Sequence, residues 1–141
     1  MTDMLVRLYD LPPLQPEIDA LVGTGITIRR VIGPEKNRVV AWVRENFSDY
    51  WASEADVAFG HTPLGCFIAI KDKSLVGFTC YNTTAKGFFG PTGVDESARG
   101  QGIGKALLLV GLHALWSEGY AYGIIGRVGP QDFYADIVGA I

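Results

Sequence analysis

The sequence predicts a single α+β domain in which a mostly antiparallel central sheet is flanked by helices. Three observations carry that expectation. Residues 66–71, 74–82 and 86–95 are apolar, strand-like runs separated by short polar turns, the pattern of an antiparallel meander. A glycine-rich stretch, Arg99-Gly100-Gln101-Gly102-Ile103-Gly104-Lys105, runs directly into an apolar helix over 102–118. One more strand, 120–128, follows that helix, so the sheet contains one parallel crossover.

Taken in chain order, residues 4–9 (MLVRLY) form an extra N-terminal strand. They place Met4, Val6 and Leu8 on one face and Leu5, Arg7 and Tyr9 on the other, and stop before Pro12-Pro13. Residues 14–25 read as a loop leading to a second strand at 26–32 (ITIRRVI). Pro34 opens a helix whose apolar positions Val39, Val40, Val43 and Phe47 keep near-helical spacing. The polar and aromatic stretch 48–63 contains a short second helix that ends at Gly60 and Pro63. In the hairpin that follows, placing Ile70 opposite Leu75 puts Cys66 opposite Thr79 and Cys80 on the other side of the sheet. The two cysteines then remain separate buried thiols. Gly90-Pro91 interrupts the third strand of the meander, and because proline cannot donate to a ladder the strand is bulged or splayed there. After the strand at 120–128, Pro130 starts a last short helix, 130–138. No internal repeat or second domain is visible, and the domain spans 1–141.

Composition excludes some functions. With 141 residues, 48% of them hydrophobic, the chain has core enough to fold alone. The formal net charge is −3 and the 12 Lys and Arg residues form no run, which argues against a nucleic-acid partner. The N-terminus lacks the pattern of a secretion signal. The longest apolar run, Ala106–Trp116, is broken by Gly111 and His113 and is too short to span a bilayer. The expectation is a cytoplasmic protein with no membrane partner and no metal site, in which His61 and His113 are structural or exposed.

The glycine stretch asks for a ligand. A helix N-terminus carries unpaired N–H groups and partial positive charge, and glycines ahead of it let an anion approach the backbone closely. A nucleoside-triphosphate loop of the form G-x-x-x-x-G-K-[ST] is a poor match, because only three residues separate Gly100 from Gly104 and Ala106 stands where a hydroxyl is needed. The dinucleotide fingerprint G-x-G-x-x-G also fits poorly, since the glycines here alternate. Residues 92–108 instead resemble the acetyl-coenzyme A loop of the GNAT family of N-acetyltransferases, V-x-x-x-x-[RQ]-x-x-G-x-[GA], with Val94 as the valine and Arg99–Gly104 as the pyrophosphate loop. As an order of elements the resemblance extends over about 26–138.

That resemblance implies a V-shaped splay between the strand before the glycine loop and the strand after helix 102–118. It implies acetyl-CoA as cosubstrate, held by Thr92, Gly93, Val94, Arg99, Gly100, Gln101, Gly102, Ile103, Gly104 and Lys105. The Val94 N–H would polarise the thioester carbonyl, and Tyr134, within Phe133-Tyr134, would give a proton to the departing thiolate. The acceptor would be a primary amine of a small molecule or peptide, met by Tyr50, Trp51 and Glu54 at an acidic and aromatic mouth that also draws on Glu45, Asp49 and Asp56. Phe88 stands where many family members carry a carboxylate, so the base would come from water or from 45–56. A non-catalytic CoA sensor of the same fold is the alternative. The strand at 120–128 needs a cover, from residues 4–9 or from a second chain, with a homodimer the favoured route.

Overall fold

The computed structural model describes residues 2–141. Its six strands are β1 (Thr2–Arg7), β2 (Ile26–Arg30), β3 (Cys66–Lys71), β4 (Ser74–Tyr81), β5 (Phe88–Val94) and β6 (Tyr122–Val128). They lie in one sheet in the order β1-β6-β5-β4-β3-β2. Every neighbouring pair is antiparallel except β5–β6, which is parallel. The helices are α1 (Gln15–Asp19), α2 (Lys36–Asn46), α3 (Asp49–Ala58), α4 (Ile103–Ser117) and α5 (Gln131–Val138). No helix among the described residues is long and apolar enough to cross a membrane.

Two apolar clusters fill the two faces of the sheet. On one face α4 buries Ala106, Leu107, Leu108, Leu109, Leu112 and Leu115 against Val6, Leu8, Tyr81, Phe89 and Ile125. Gly111 belongs to the same surface, since a Cβ there would stand 2.6 Å from the Phe89 ring. On the other face α2 and α3 pack Val39, Val43, Ala52, Ala55 and Ala58 onto Ile68, Phe78, Cys66 and Cys80. The run of small residues in α3 lets it lie close to the sheet. Ser48 caps it by accepting from the Trp51 N–H at 3.1 Å.

Three local expectations need correction. The first strand covers 2–7 rather than 4–9, because residues 8–10 turn into a 3₁₀ segment once Leu8 is buried. Within 14–25, read as a loop, Pro16 sits in the first turn of the five-residue α1. The cysteine register also differs. The hairpin does start with Ile70 opposite Leu75, but Val76 bulges out, Ala69 then faces Gly77, and each later pair moves by one. Cys66 therefore stands opposite Cys80, both free and fully buried on one face. Burial, with the neighbouring thiol adding to it, pushes the Cys80 thiol well up, so that sulfur is not poised as a nucleophile.

The cover over β6 comes from the same chain. β1 runs antiparallel to it with Leu5 opposite Ile124, and Leu8 N–H donates to Ala121 O at 2.9 Å. The need for a second chain at that edge lapses. The outer side of β1 is in turn met by Ile141, which exchanges two backbone hydrogen bonds with Leu5 at 2.7 and 2.9 Å. Deleting residues 1–10 is expected to bare β6, remove Met4, Val6 and Leu8 from the core, and yield aggregates in size-exclusion chromatography. A truncated chain that stays soluble and melts cooperatively would contradict this role of β1.

Candidate active site

The parallel pair β5–β6 is joined only near its start, through Phe88 opposite Ile124 and Phe89 opposite Ile125, with Ile124 N–H donating to Gly87 O at 2.9 Å. Beyond that point each strand bends away. On β5 the register against β4 shifts opposite Gly90, whose φ is +115°, as the Gly90-Pro91 pair anticipates. On β6 the register against β1 shifts between Thr2 and Met4, and Arg127 takes a left-handed φ of +49°. A V opens between them and forms a cavity of about 1060 Å³, large enough for an extended ligand and a second small molecule.

One end of the cavity is an anion cradle. Gly100 and Gly102 have φ of +80° and +84°, and a Cβ on either would meet no atom within 4 Å. Gly102 is the residue before α4, and the first α4 N–H to reach a carbonyl is that of Ala106, donating to Gly102 O at 3.1 Å. The N–H groups of Ile103, Gly104 and Lys105 are thus left for an anion. Arg99 and Lys105 line the same end and supply positive charge. Lys105 also pairs with Glu17 of α1 at 3.1 Å, which fixes its direction. A diphosphate fits this donor set.

The β5 edge supplies further donors. Asp95 N–H donates to Val76 O at 2.8 Å, and the register runs unbroken through Val94–Gly77, Gly93–Phe78 and Thr92–Thr79. Backbone groups of an antiparallel strand alternate in direction, so Gly93 and Asp95 point to β4 while the N–H groups of Val94 and Thr92 point into the V. Gly93 has a separate reason to be glycine, because a Cβ would lie 2.6 Å from the Phe47 ring. Phe47 in turn packs on Trp51 and Phe78 with ring centres 5.2 and 5.5 Å away.

The walls carry acid and aromatic groups. Trp51 and Glu54 project from α3, with the Glu54 carboxylate accepting from the Thr84 hydroxyl. Tyr134 comes from α5, which turns back over the V after Gly129-Pro130, and its ring meets Phe133 edge-on at 5.2 Å. Burial pushes the Tyr134 phenol above its ordinary pKa, so it holds its proton throughout the neutral range.

The structure brings together most of the expected residues: Thr92, Gly93, Val94, Arg99, Gly100, Gly102, Ile103, Gly104, Lys105, Tyr134, Trp51 and Glu54 all line this cavity. Two do not join them. Tyr50 is 86% exposed and lies outside, because one residue along a helix turns the side chain by about 100° from Trp51. Gln101 is also outside the lining, its amide bonded to Lys71 Nζ at 3.1 Å and to Ala98 O at 3.3 Å. Of the remaining acids, Asp49 pairs with Arg44 and Asp56 with Lys36, and Glu45 is exposed. His113 is structural, its Nε2 bonded to Pro12 O at 2.8 Å. Asp3, Thr84, Phe88 and Arg127 line the cavity without having been expected there as site residues. Asp3 gave no signal in the sequence, being more than 80 residues from the glycine motif.

A splayed β5–β6 pair with a glycine cradle at its open end defines an acyl-CoA-type transferase fold. The chain belongs to the acetyltransferase (GNAT) family, whose model matches residues 33–135. It is 36% identical over 137 residues to a mycothiol acetyltransferase of Thermomonospora curvata, an alignment covering 84% of this chain and 45% of that protein. The chain therefore spans less than half the length of that curated relative. Among solved structures, the GCN5-related glucosamine N-acetyltransferase region of a fungal multi-domain GH3 β-N-acetylglucosaminidase superposes with a TM-score of 0.76 at 16% identity, over 96% of this chain and 19% of that one. A GNAT family acetyltransferase from Brucella melitensis, solved in complex with acetyl-CoA, gives a TM-score of 0.58 at 19% identity over 77% of this chain and 80% of its own.

Proposed function

We propose that this domain moves an acetyl group from acetyl-CoA to a primary amine of a small molecule or peptide, by direct transfer in a ternary complex. The observation that carries the proposal is that the anion cradle at 99–105 and the free N–H groups of the β5 edge open into one cavity. Acetyl-CoA supplies an activated thioester, whose carbonyl carbon is attacked and whose thiolate leaves. The cradle N–H groups, with Arg99 and Lys105, hold the pyrophosphate. The N–H groups of Thr92 and Val94 orient the pantetheine arm, and Val94 directs a hydrogen bond at the carbonyl oxygen, where negative charge grows. The Tyr134 phenol holds a proton and delivers it to the sulfur, regaining it from solvent. Glu54 and Trp51 receive the acceptor, the carboxylate and indole favouring a cationic amine before it gives up its proton to water.

Phe88, in place of a carboxylate on β5, favours one second reading, a domain that binds CoA without turnover. Both readings are separated by one experiment. Thermal melting is measured with acetyl-CoA, CoA, or ATP with magnesium, since a ligand of the native state alone raises the melting point. Thiol release is then followed across a broad amine panel. Stabilisation by acetyl-CoA with amine-dependent thiol release is the expected result. Stabilisation by ATP alone would sink the proposal, and CoA binding without release from any amine would leave the sensor.

A further inference from the structure

We infer that Asp3, on the N-terminal strand and outside the segment that matches the family model, is a specificity-determining residue that selects acceptors carrying a second positive charge. The inference rests on the acetyl-transfer reading of the cavity. Its observations are independent of the glycine loop.

β1 reaches the cavity only because its pairing with β6 is irregular. The register jumps between Thr2 and Met4, Arg127 turns left-handed, and the Arg127 N–H donates to Asp3 Oδ1 at 2.9 Å. The carboxylate is thereby tied to the cavity wall through one oxygen. Among the described residues the other oxygen, Oδ2, has no hydrogen-bond partner. Gly126, between the strands, brings it close to an aromatic surface: a Cβ on Gly126 would sit 3.5 Å from the Phe88 ring and 3.9 Å from Asp3 Oδ1. Asp3 and the Phe88 ring thus flank the same point, a pairing that suits an ammonium group through charge and the ring face.

The cavity lining also includes Glu54 on α3. The lining thus holds two carboxylates, Asp3 and Glu54, with the aromatic rings of Phe88 and Trp51 and the cations Arg99, Lys105 and Arg127, the last of these exposed. An amine with a single charge can satisfy one of the two carboxylates. A small diamine can satisfy both, with one nitrogen at Glu54 and its other ammonium at Asp3.

The test is calorimetric titration of 1,4-diaminobutane and of 1-aminobutane into the CoA-saturated protein, with wild type and Asp3→Asn compared. Asparagine keeps an oxygen for the Arg127 N–H, so the bulge survives and only the charge is lost. The expected result is that wild type binds the diamine about tenfold or more tightly than the monoamine. Asp3→Asn should remove that preference with CoA affinity unchanged, and Asp3→Glu should restore part of it. Equal binding of the two amines by wild type, or a preference that survives in Asp3→Asn, would overturn the inference. Failure of the protein to bind CoA would instead strike the acetyl-transfer reading, and the amine titrations, repeated without CoA, would still decide the role of Asp3.

Discussion

Gly102→Asp is expected to abolish acetyl-CoA binding in a chain that still folds. Position 102 has room for a side chain as far as the protein is concerned, with no atom within 4 Å of the added Cβ. Its φ of +84° strains any L residue by about 1–2 kcal/mol, and aspartate is among those that bear it best. The substitution lands immediately before α4, where a carboxylate accepts readily from the first N–H groups of a helix. In doing so it would occupy the donors at Ile103, Gly104 and Lys105 that the pyrophosphate needs, and would set a negative charge against phosphates. Loss of the cradle should raise the acetyl-CoA Kd by about 100-fold or more, equivalent to roughly 3 kcal/mol. Calorimetry against acetyl-CoA, beside a thermal melt showing a cooperative transition, checks both halves. A folded variant that binds acetyl-CoA as wild type does would show that the ligand lies elsewhere.

The second large effect concerns the proton. Tyr134→Phe keeps the ring and its edge-on contact with Phe133, and removes only the hydroxyl. The expected outcome is acetyl-CoA affinity close to wild type and kcat lower by about 10²–10⁴-fold, the range for a lost general acid. Single-turnover mixing is the proper measurement, because slow product release could hide the chemical step. The pH dependence gives a second check. Burial raises the phenol pKa, so the acid form persists to a higher pH than for a free tyrosine. Wild-type kcat should therefore show no decline from Tyr134 below about pH 10, the unperturbed value, and Tyr134→Phe should be slow at every pH. An unchanged single-turnover rate would reduce Tyr134 to a packing residue.

How far the sequence revealed these sites depended on the range of the interactions involved. The glycine loop and α4 were legible because their conformation is local: alternating glycines remove side chains where the backbone turns left-handed, and the apolar run then declares a buried helix. Gly90-Pro91 announced the bend in β5 for the same reason. The cysteine register was not legible, because a single extra residue at Val76 reverses the facing of every later pair. Tyr50 and Trp51 stand next to each other in sequence, and only the pitch of α3 decides which enters the cavity. Asp3 was beyond reach altogether, since its place depends on β1 choosing β6 as its neighbour.

That choice has a consequence for how the chain acquires its shape. β1 and β6 are adjacent in the sheet yet about 120 residues apart along the chain, among the longest separations the fold contains. On a ribosome adding about 5–20 residues per second, β1 is made some 6–24 s before β6 emerges to pair with it. During that interval Met4, Val6 and Leu8 have no partner strand, while the β3–β4 hairpin can already close locally. The last ladder to form is thus the one that carries Asp3 to the cavity, and long-range pairing of this kind slows folding. Of the six strands, the one made first is the one that adds Asp3 to the cavity lining, so a nascent chain stalled before residue 122 would hold a meander without a V.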